Sequence, residues 1–395
     1  MMTVDSIRCS YQLVLLGAPN QAVQRLRSEV ESGLENLGLP KDAIRFFDAR
    51  DAHHRDLGAP VMAVFFGHAS VTNDTGLVTE LLEDSVVIAP LVSDPTQVGN
   101  EIPPQLRHIN AMSLDPGGNT VIRLTTLILE TFRLLRTERR LFISYKRTGS
   151  QPLANRLYEA LDARGFDVFI DVRSVPPATD FQDELWHRMT DSDVIILIDT
   201  PGFREGRWTA AELTQANATN VQILHVLWPG LEEDATSAFS HFLKLKRSDF
   251  LGYLPLRGQF IKSRSLDRIC DEAERLRARA LAARHHYLVD SFCDAARDLG
   301  LTVSVQVEGW ISLMLPSGKK LAIVAAVGVP KSDRINEIFS KASSPNLGSD
   351  EIWIIYDSRG ILRSWLNHLD WLDTHLPIRT VQMAKASERL SEAVR

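Results

Sequence analysis

The sequence predicts an α/β protein made of several domains, and three observations support this. Short apolar runs of strand length alternate with stretches of helical periodicity along most of the chain. Hydrophobic residues make up 44% and charged residues 24%, a balance typical of globular cores with charged surfaces. The length of 395 residues exceeds what one hydrophobic core usually organises. We therefore predict four parts, at residues 1–136, 137–256, 257–287 and 288–395.

The composition limits which cellular compartment and which kinds of binding partner we expect for this protein. The net charge of −6 argues against nucleic acid as a partner, which normally requires a basic surface. The sequence shows no cationic segment followed by a long apolar run, and no apolar run of the ~18–20 residues that span a bilayer. Cys9, Cys270 and Cys293 are far apart and odd in number, which favours free thiols in a reducing compartment. We therefore expect a cytoplasmic protein with no membrane partner.

The first two parts both read as alternating strands and helices. In the first, apolar runs and helical periodicity predict strands at 11–16, 44–47, 61–66 and 86–92 and helices at 21–37 and 120–135. In the second, apolar runs predict strands at 141–145, 167–170, 194–199 and 223–228. Mostly apolar strands with helices between them indicate a parallel sheet, whose sites lie at the carboxyl ends of its strands. Tyr145, Lys146, Asp171 and Thr200 all lie at or just past such ends.

The second part carries three sequence boxes in order. The first is Phe142-Ile-Ser-Tyr-Lys-Arg147, and the second runs from Phe166 to Pro177 and contains Phe166-Asp-Val-Phe-Ile-Asp171. The third is the TrpxxxGlu spacing of Trp208 and Glu212. Together these boxes resemble the Toll/interleukin-1 receptor (TIR) domain of bacterial NAD-cleaving effectors. The resemblance implies a flavodoxin-like parallel sheet and an NAD⁺ nucleosidase, and it covers less than a third of the chain.

The resemblance also implies roles for individual residues. Glu212 would be the catalytic carboxylate, and the substrate contacts would be Tyr145, Lys146, Arg147, Asp171 and Trp208. Asp171 also borders a loop that TIR domains use for self-association. NAD⁺ would be a consumed substrate, so we expect no cofactor and no metal. The product would be ADP-ribose or a cyclic ADP-ribose, and the likeness to antiphage effectors implies a conditional role in abortive infection.

The chemistry of this reaction suits the observed residues. A helix would place Trp208 and Glu212 on one face, because they are four residues apart. Loss of nicotinamide from NAD⁺ builds an oxocarbenium-like cation, which a nearby carboxylate stabilises. Nicotinamide leaves as a neutral base, so one carboxylate is enough. The sequence has neither a GxGxxG turn after a strand nor a P-loop, which argues against a dehydrogenase or an NTPase.

Three alternatives stay open at this level. The TIR domain could act as a non-enzymatic scaffold that only self-assembles, or as a sensor that binds an NAD-derived nucleotide without cleaving it. A third alternative is a nucleic-acid-associated component that uses the arginines of 257–287, although a solvated helix flank is the commoner explanation for such residues. In each case we expect the flanking domains to bind a regulatory protein or ligand.

The last part reads as a helix, three strands, a helix, a strand and a helix. The strands are predicted at 302–307, 310–315, 321–327 and 352–356, with a hairpin turn at Pro316-Ser-Gly318. This order resembles the restriction-endonuclease core, which holds Mg²⁺ with an acidic residue and an acidic-x-Lys triplet. The third strand, Leu321-Ala-Ile-Val-Ala-Ala-Val327, has no charge. We therefore predict a small α/β domain that is degenerate and only binds.

Two short matches suggest an internal repeat between the first two parts. At a constant offset of 107 residues, Asp84-Ser-Val-Val-Ile88 matches Asp191-Ser-Asp-Val-Ile195 and Asn110-Ala111 matches Asn217-Ala218. This alignment places Gln105 opposite Glu212 and Glu101 opposite Trp208, with the strand at 61–66 as an insertion. It predicts that the first part is a divergent TIR-like unit without the catalytic acid. The alternative, chance similarity between two α/β units, stays open.

Overall fold

The computed structural model describes most of the chain, in two compact units that divide between Thr137 and Glu138. The described residues are 11–56, 58–69, 74–114, 119–132, 134–145, 147–170, 181–201, 221–233, 240–252, 258–305, 310–342 and 349–394. Among the predicted site residues, Lys146, Asp171, Trp208 and Glu212 lie outside these ranges. Arg147 lies inside them, although its side chain is not described.

The first unit is a five-stranded parallel sheet with helices between its strands. Its strands are β1 (Tyr11–Gly17), β2 (Ile44–Asp48), β3 (Val61–Phe66), β4 (Val87–Val92) and β5 (Met112–Ser113), in the order β2-β1-β3-β4-β5. Its helices are α1 (Ala22–Asn36), α2 (Thr75–Glu83), α3 (Val98–Glu101) and α4 (Asn119–Thr131). The four predicted strands and both predicted helices are confirmed. The two-residue β5 was not predicted, because its sequence is too short to show a period.

The strand order corrects the alignment between the first two parts. In the first unit β1 pairs with β3, as the first strand of a second sheet described below pairs with its third strand. The strand at 61–66 is therefore the counterpart of that third strand and not an insertion. The offset of 107 residues aligns strands that do not occupy equivalent places in the two sheets. The pairings of Gln105 with Glu212 and of Glu101 with Trp208 are wrong for the same reason. Short buried parallel strands have similar apolar sequences, so brief matches occur between strands at different positions.

Glu101 has a structural role of its own. Its carboxylate is buried and accepts a hydrogen bond from the Ser93 backbone N–H at 2.6 Å and another from the Ser93 hydroxyl. The two sheets nevertheless share one topology, as the repeat hypothesis requires.

The second unit begins with another five-stranded parallel sheet. Its strands are β6 (Arg140–Tyr145), β7 (Asp167–Ile170), β8 (Val194–Asp199), β9 (Gln222–Leu227) and β10 (Ser240–Lys244), in the order β10-β9-β8-β6-β7. Helices α5 (Arg147–Asp162) and α6 (Phe181–Asp191) follow β6 and precede β8. This order and direction confirm the flavodoxin-like parallel sheet. The edge strand β10 was not predicted, because its exposed and polar positions interrupt the apolar run.

A single long helix, α7 (Ser263–Asp298, 36 residues), follows this sheet. The predicted connector at 257–287 and the first helix of the last part are therefore one continuous helix. Its first half packs Leu266, Ile269 and Leu276 into the core of the β6–β10 sheet. Its second half packs Leu288 and Phe292 into the core of the last sheet.

The arginines of α7 differ from the solvated flank that the sequence suggested. Arg277 is fully buried and its Nε donates to Asp193 Oδ2 at 2.8 Å. Arg284 is also buried, and it donates to the carbonyl oxygens of Thr190 at 2.6 Å and Ser192 at 2.9 Å. These guanidinium groups form buried hydrogen bonds within the protein. They can do so because the helix crosses the amino-terminal edge of the sheet, where several backbone carbonyls need donors.

The last sheet is mixed. Its strands are β11 (Val303–Val305), β12 (Ile311–Met314), β13 (Lys320–Ala325), β14 (Glu351–Tyr356) and β15 (Ile378–Gln382). The helices are α8 (Ser332–Ala342), α9 (Arg363–Asp373) and α10 (Ala386–Val394). Strands β11 to β13 form the predicted antiparallel meander, whereas β14 and β15 continue the sheet in parallel. The final strand β15 and helix α10 were not predicted.

The two sheets of the second unit meet at the carboxyl-terminal end of α6. The Asp191 carboxylate accepts hydrogen bonds from Arg140 Nη1 at 2.6 Å and from the Val329 backbone N–H at 3.1 Å. The Thr190 hydroxyl donates to the Arg359 carbonyl at 3.2 Å. Polar groups of α6 therefore hold loops of the mixed sheet directly.

Gly360 is the tightest point of this junction, and its replacement by alanine tests the packing. Its φ is +76°, and a Cβ atom there would lie 2.2 Å from Thr190 Oγ1. We expect Gly360→Ala to lower the free energy of unfolding by about 2–4 kcal/mol, which combines left-handed backbone strain with the displaced threonine. Gly318→Ala is the matched control, since Gly318 has a φ of +83° and nothing within 4 Å of its added Cβ.

Urea denaturation followed by tryptophan fluorescence makes this comparison, because all seven tryptophans lie in the second unit. The Gly318→Ala protein should lose only about 1 kcal/mol. Equal losses in the two proteins would show that the contact between Gly360 and Thr190 carries no energy of its own.

His187 makes the same junction sensitive to pH. Its Nδ1 accepts a hydrogen bond from the Leu362 backbone N–H at 3.3 Å, which requires the neutral imidazole. Burial lowers the pKa of His187 below its ordinary value of 6.5, against the opposing effects of Asp191 and Glu184. The unfolded chain therefore binds this proton at a higher pH than the folded protein does. The stabilisation is complete above pH 6.5 and is lost as the pH falls toward the lowered pKa.

We expect the stability of the wild type to fall more steeply between pH 6.5 and pH 5 than that of His187→Asn. Urea titrations at several pH values measure the two slopes. The control is His375→Asn, which replaces an exposed histidine just after the end of α9. This variant should keep the wild-type dependence of stability on pH. Identical slopes in all three proteins would remove His187 from the pH response.

Candidate functional site

The carboxyl-terminal edge of the β6–β10 sheet is the place where its topology favours a ligand. Strand β6 lies between β7 on one side and β8 on the other, so the chain leaves β6 and β8 toward opposite faces of the sheet. A crevice forms at such a switch point between parallel strands. The strands that meet there end at Tyr145, Ile170 and Asp199.

Tyr145 is placed differently from what substrate contact would suggest. Its side chain is 4% exposed and belongs to the core formed with Leu153 and Leu157 of α5 and with α7. In the sheet it is registered opposite Ile198, whose side chain lies in the same core. The ring therefore packs in the core between the sheet and the helices α5 and α7. Contact between Tyr145 and a substrate stays a prediction.

The other predicted site residues are only partly located. Arg147 is the first residue of α5 and lies two residues after Tyr145, the last residue of β6, so its backbone lies at this edge. Lys146 and Asp171 are outside the described residues but adjoin Tyr145 and Ile170, which the sheet brings to neighbouring strands. Trp208 and Glu212 also lie outside the described residues, in the connection that leaves β8 after Pro201 and returns at Val221.

A buried acidic–imidazole pair at this edge was missed by sequence reasoning. His225 Nδ1 lies 2.8 Å from Asp199 Oδ2, and the two side chains are 5% and 2% exposed. The His225 ring stacks on Phe242 of β10 at 4.8 Å between centroids. Asp199 ends an otherwise apolar strand and His225 interrupts another, a signal that the sequence did contain.

Two buried polar atoms, one in this pair and one in the residue that follows Asp199, have no hydrogen-bond partner among the described residues. They are His225 Nε2 and Thr200 Oγ1. An unpaired buried polar atom costs about 1–3 kcal/mol, so each one calls for an explanation. In the described part of the chain, no group of three or more histidine, cysteine or acidic residues is arranged to hold a metal ion.

The family comparison covers the sheet that carries this edge. The model of the TIR domain matches residues 141–253, which cover the strands β6 to β10 except for Arg140, the first residue of β6. Residues 141–253 are a TIR domain. The TIR domain thus ends before α7 begins at Ser263, although the first half of α7 covers one face of its sheet.

Comparisons over the whole chain add little. No curated protein matches this chain. A solved structure, the UDP-N-acetylmuramoylalanyl-D-glutamyl-2,6-diaminopimelate–D-alanyl-D-alanyl ligase from Acinetobacter baumannii, is similar at 8% identity over 86% of this chain and 91% of that chain, with a TM-score of 0.18. A TM-score this low supports no statement about function. Among the described helices, none is both long and apolar enough to cross a bilayer.

Proposed function

We propose that the TIR domain cleaves NAD⁺ at the nicotinamide–ribose bond, with Glu212 as the catalytic carboxylate. One observation carries the proposal: the TIR match at 141–253 contains the Trp208 and Glu212 pair at a spacing of four residues, as in the NAD-cleaving members that it resembles. The parallel sheet supports the proposal, since the connection that holds both residues starts at its carboxyl-terminal edge.

The bond changes of this reaction need one carboxylate. The bond from ribose C1′ to the nicotinamide nitrogen breaks, and nicotinamide leaves as a neutral base with the electron pair. Glu212 stabilises the oxocarbenium-like cation and hydrogen-bonds the ribose hydroxyls. Water then attacks C1′ and loses a proton to give ADP-ribose. Attack by the adenine ring of the same molecule gives a cyclic ADP-ribose instead.

The other predicted residues would bind the substrate around this centre. The Trp208 ring would form one wall of the nicotinamide pocket. Lys146 or Arg147 would bind the pyrophosphate through charge-assisted hydrogen bonds, since both follow β6 at the carboxyl-terminal edge. Asp171 would contact the substrate beside the end of β7. Tyr145 would contact it through its backbone, at the end of β6.

We further propose that the activity is conditional. TIR domains commonly self-associate, and the domain would become competent on assembly, when the first unit or the mixed sheet binds a regulatory protein or ligand. Consumption of cytoplasmic NAD⁺ would then serve an antiphage response. These biological roles rest on the family likeness and not on a distance or a contact in the structure.

Nicotinamide release from NAD⁺ across a range of protein concentrations tests the proposal. We expect the rate per molecule to rise with concentration and to be low in dilute protein, because assembly completes the site. Light scattering at each concentration gives the oligomeric state. Rapid release by a demonstrated monomer would contradict the assembly step, whereas saturable NAD⁺ binding without release would favour the sensor.

A further inference from the structure

The Asp199–His225 pair is unusual for its surroundings. Strand β8 reads Val-Ile-Ile-Leu-Ile-Asp199 and is buried throughout. Strand β9 is buried at every position after its first residue, and His225 is the one polar residue among those buried positions. A buried carboxylate–imidazole pair loses its hydration and is rarely more stable than an apolar pair of the same volume. His225 Nε2 is also left without a partner among the described residues. A polar pair kept only for stability is normally fully hydrogen-bonded.

The position of Asp199 suggests what the pair does. Asp199 is the last residue of β8, three residues before the connection that contains Trp208 and Glu212. The interactions that hold this strand end include a hydrogen bond from the Trp228 backbone N–H to the Asp199 carbonyl at 2.9 Å and one between His225 Nδ1 and the Asp199 carboxylate at 2.8 Å. His225 in turn is held by stacking against Phe242 of the next strand. Three neighbouring strands therefore fix the point from which the connection leaves.

We propose that His225 is a positioning residue of the NAD⁺-cleaving site, acting through Asp199. The inference rests on the proposed function. The imidazole orients the Asp199 carboxylate and so fixes the direction in which the chain departs from β8 toward Glu212. A small displacement of a catalytic group lowers the rate strongly without much change in substrate binding, because alignment matters most in the transition state.

Three variants test this role. His225→Leu removes the bond to Asp199, whereas His225→Asn offers an amide N–H near the place of Nδ1–H. His241→Asn, at a half-exposed histidine of the edge strand β10, is the matched control. For each protein we would measure kcat and KM for nicotinamide release, the thermal midpoint, and amide hydrogen exchange in peptides covering 200–220 and 141–170.

For His225→Leu we expect kcat to fall about tenfold or more while KM changes less than about threefold. Exchange should rise in the 200–220 peptide and stay unchanged in the 141–170 peptide. His225→Asn should recover most of kcat, and His241→Asn should match the wild type in every measurement.

The outcomes separate the two proposals. Wild-type kcat in His225→Leu, beside an active wild type, overturns the positioning role and leaves NAD⁺ cleavage standing. Faster exchange in both peptides, with a large fall in the thermal midpoint, shows a purely structural role and also overturns it. No release by the concentrated wild type overturns NAD⁺ cleavage, and the positioning role with it.

Discussion

Replacing Glu212 by alanine is expected to lower the rate of nicotinamide release by about 100- to 1,000-fold. The reason is electrostatic: one preorganised group that stabilises transition-state charge in a site shielded from water is worth a factor of this size. Glu212→Gln should lose nearly as much, because the amide keeps the shape and a hydrogen bond but not the negative charge. Nicotinamide release by concentrated protein, measured against the wild type, gives both factors.

A surface glutamate of the same domain provides the control. Glu232 is 86% exposed and pairs with Lys244, so Glu232→Ala should keep the wild-type rate. Release by both the wild type and Glu212→Ala would leave NAD⁺ cleavage in place but assign its carboxylate elsewhere. Loss of release with unchanged NAD⁺ affinity would place the effect of Glu212 on the chemical step.

The largest expected effect on stability comes from Arg277. Its guanidinium and the Asp193 carboxylate are both 0% exposed and are joined at 2.8 Å, and Arg277 Nη2 also donates to the Glu138 carbonyl at 3.1 Å. We expect Arg277→Met to lower the free energy of unfolding by about 3–5 kcal/mol, because it leaves a buried carboxylate without its guanidinium. Urea denaturation followed by tryptophan fluorescence measures the loss in the second unit.

Two further variants separate charge from packing. Arg275→Met removes an arginine two residues away that is 45% exposed and pairs with Glu272, and it should change stability by less than about 0.5 kcal/mol. The double variant Arg277→Met with Asp193→Leu should recover about half of the loss or more, since no buried charge is then left unmatched. A double variant as unstable as Arg277→Met would mean that lost packing, and not the unpaired charge, causes the effect.

Most of the sheet framework could be predicted from the sequence. Buried parallel strands such as β1, β3 and β8 are continuous apolar runs, so each strand is visible locally. The edge strands β5, β10 and β15 were missed because they are short or half polar, and pairing on one side only does not require an apolar run. The positions of these edge strands depend on tertiary contacts, which a local sequence pattern does not show.

The continuity of α7 was predictable and was missed. No glycine or proline occurs between Ser263 and Asp298, so nothing in this stretch signals a helix end. Its charged surface suggested a solvated connector. Burial of Arg277 and Arg284 follows from the carbonyls and carboxylates that the fold brings to them, and charge alone cannot show this.

The candidate site was predicted unevenly. The boxes around Phe142 and Glu212 locate the TIR domain by resemblance, and the family match agrees with that placement. The Asp199–His225 pair was missed because its members are 26 residues apart and only the pairing of β8 with β9 brings them together. A lone aspartate or histidine in an apolar strand marks a position to examine, but its partner is set by the sheet.

The length of α7 also bears on how this TIR domain could be inherited. At 1.5 Å per residue its 36 residues span about 54 Å, and each half gives its apolar face to a different sheet. A breakpoint between Leu276 and Phe292 would leave each residue on the fragment that carries its own sheet, but it would divide the helix that both sheets share. A breakpoint at residue 253 would leave one face of the TIR sheet uncovered. A TIR domain transferred to another protein would therefore have to carry the first half of α7 with it, whereas the second half belongs with the mixed sheet.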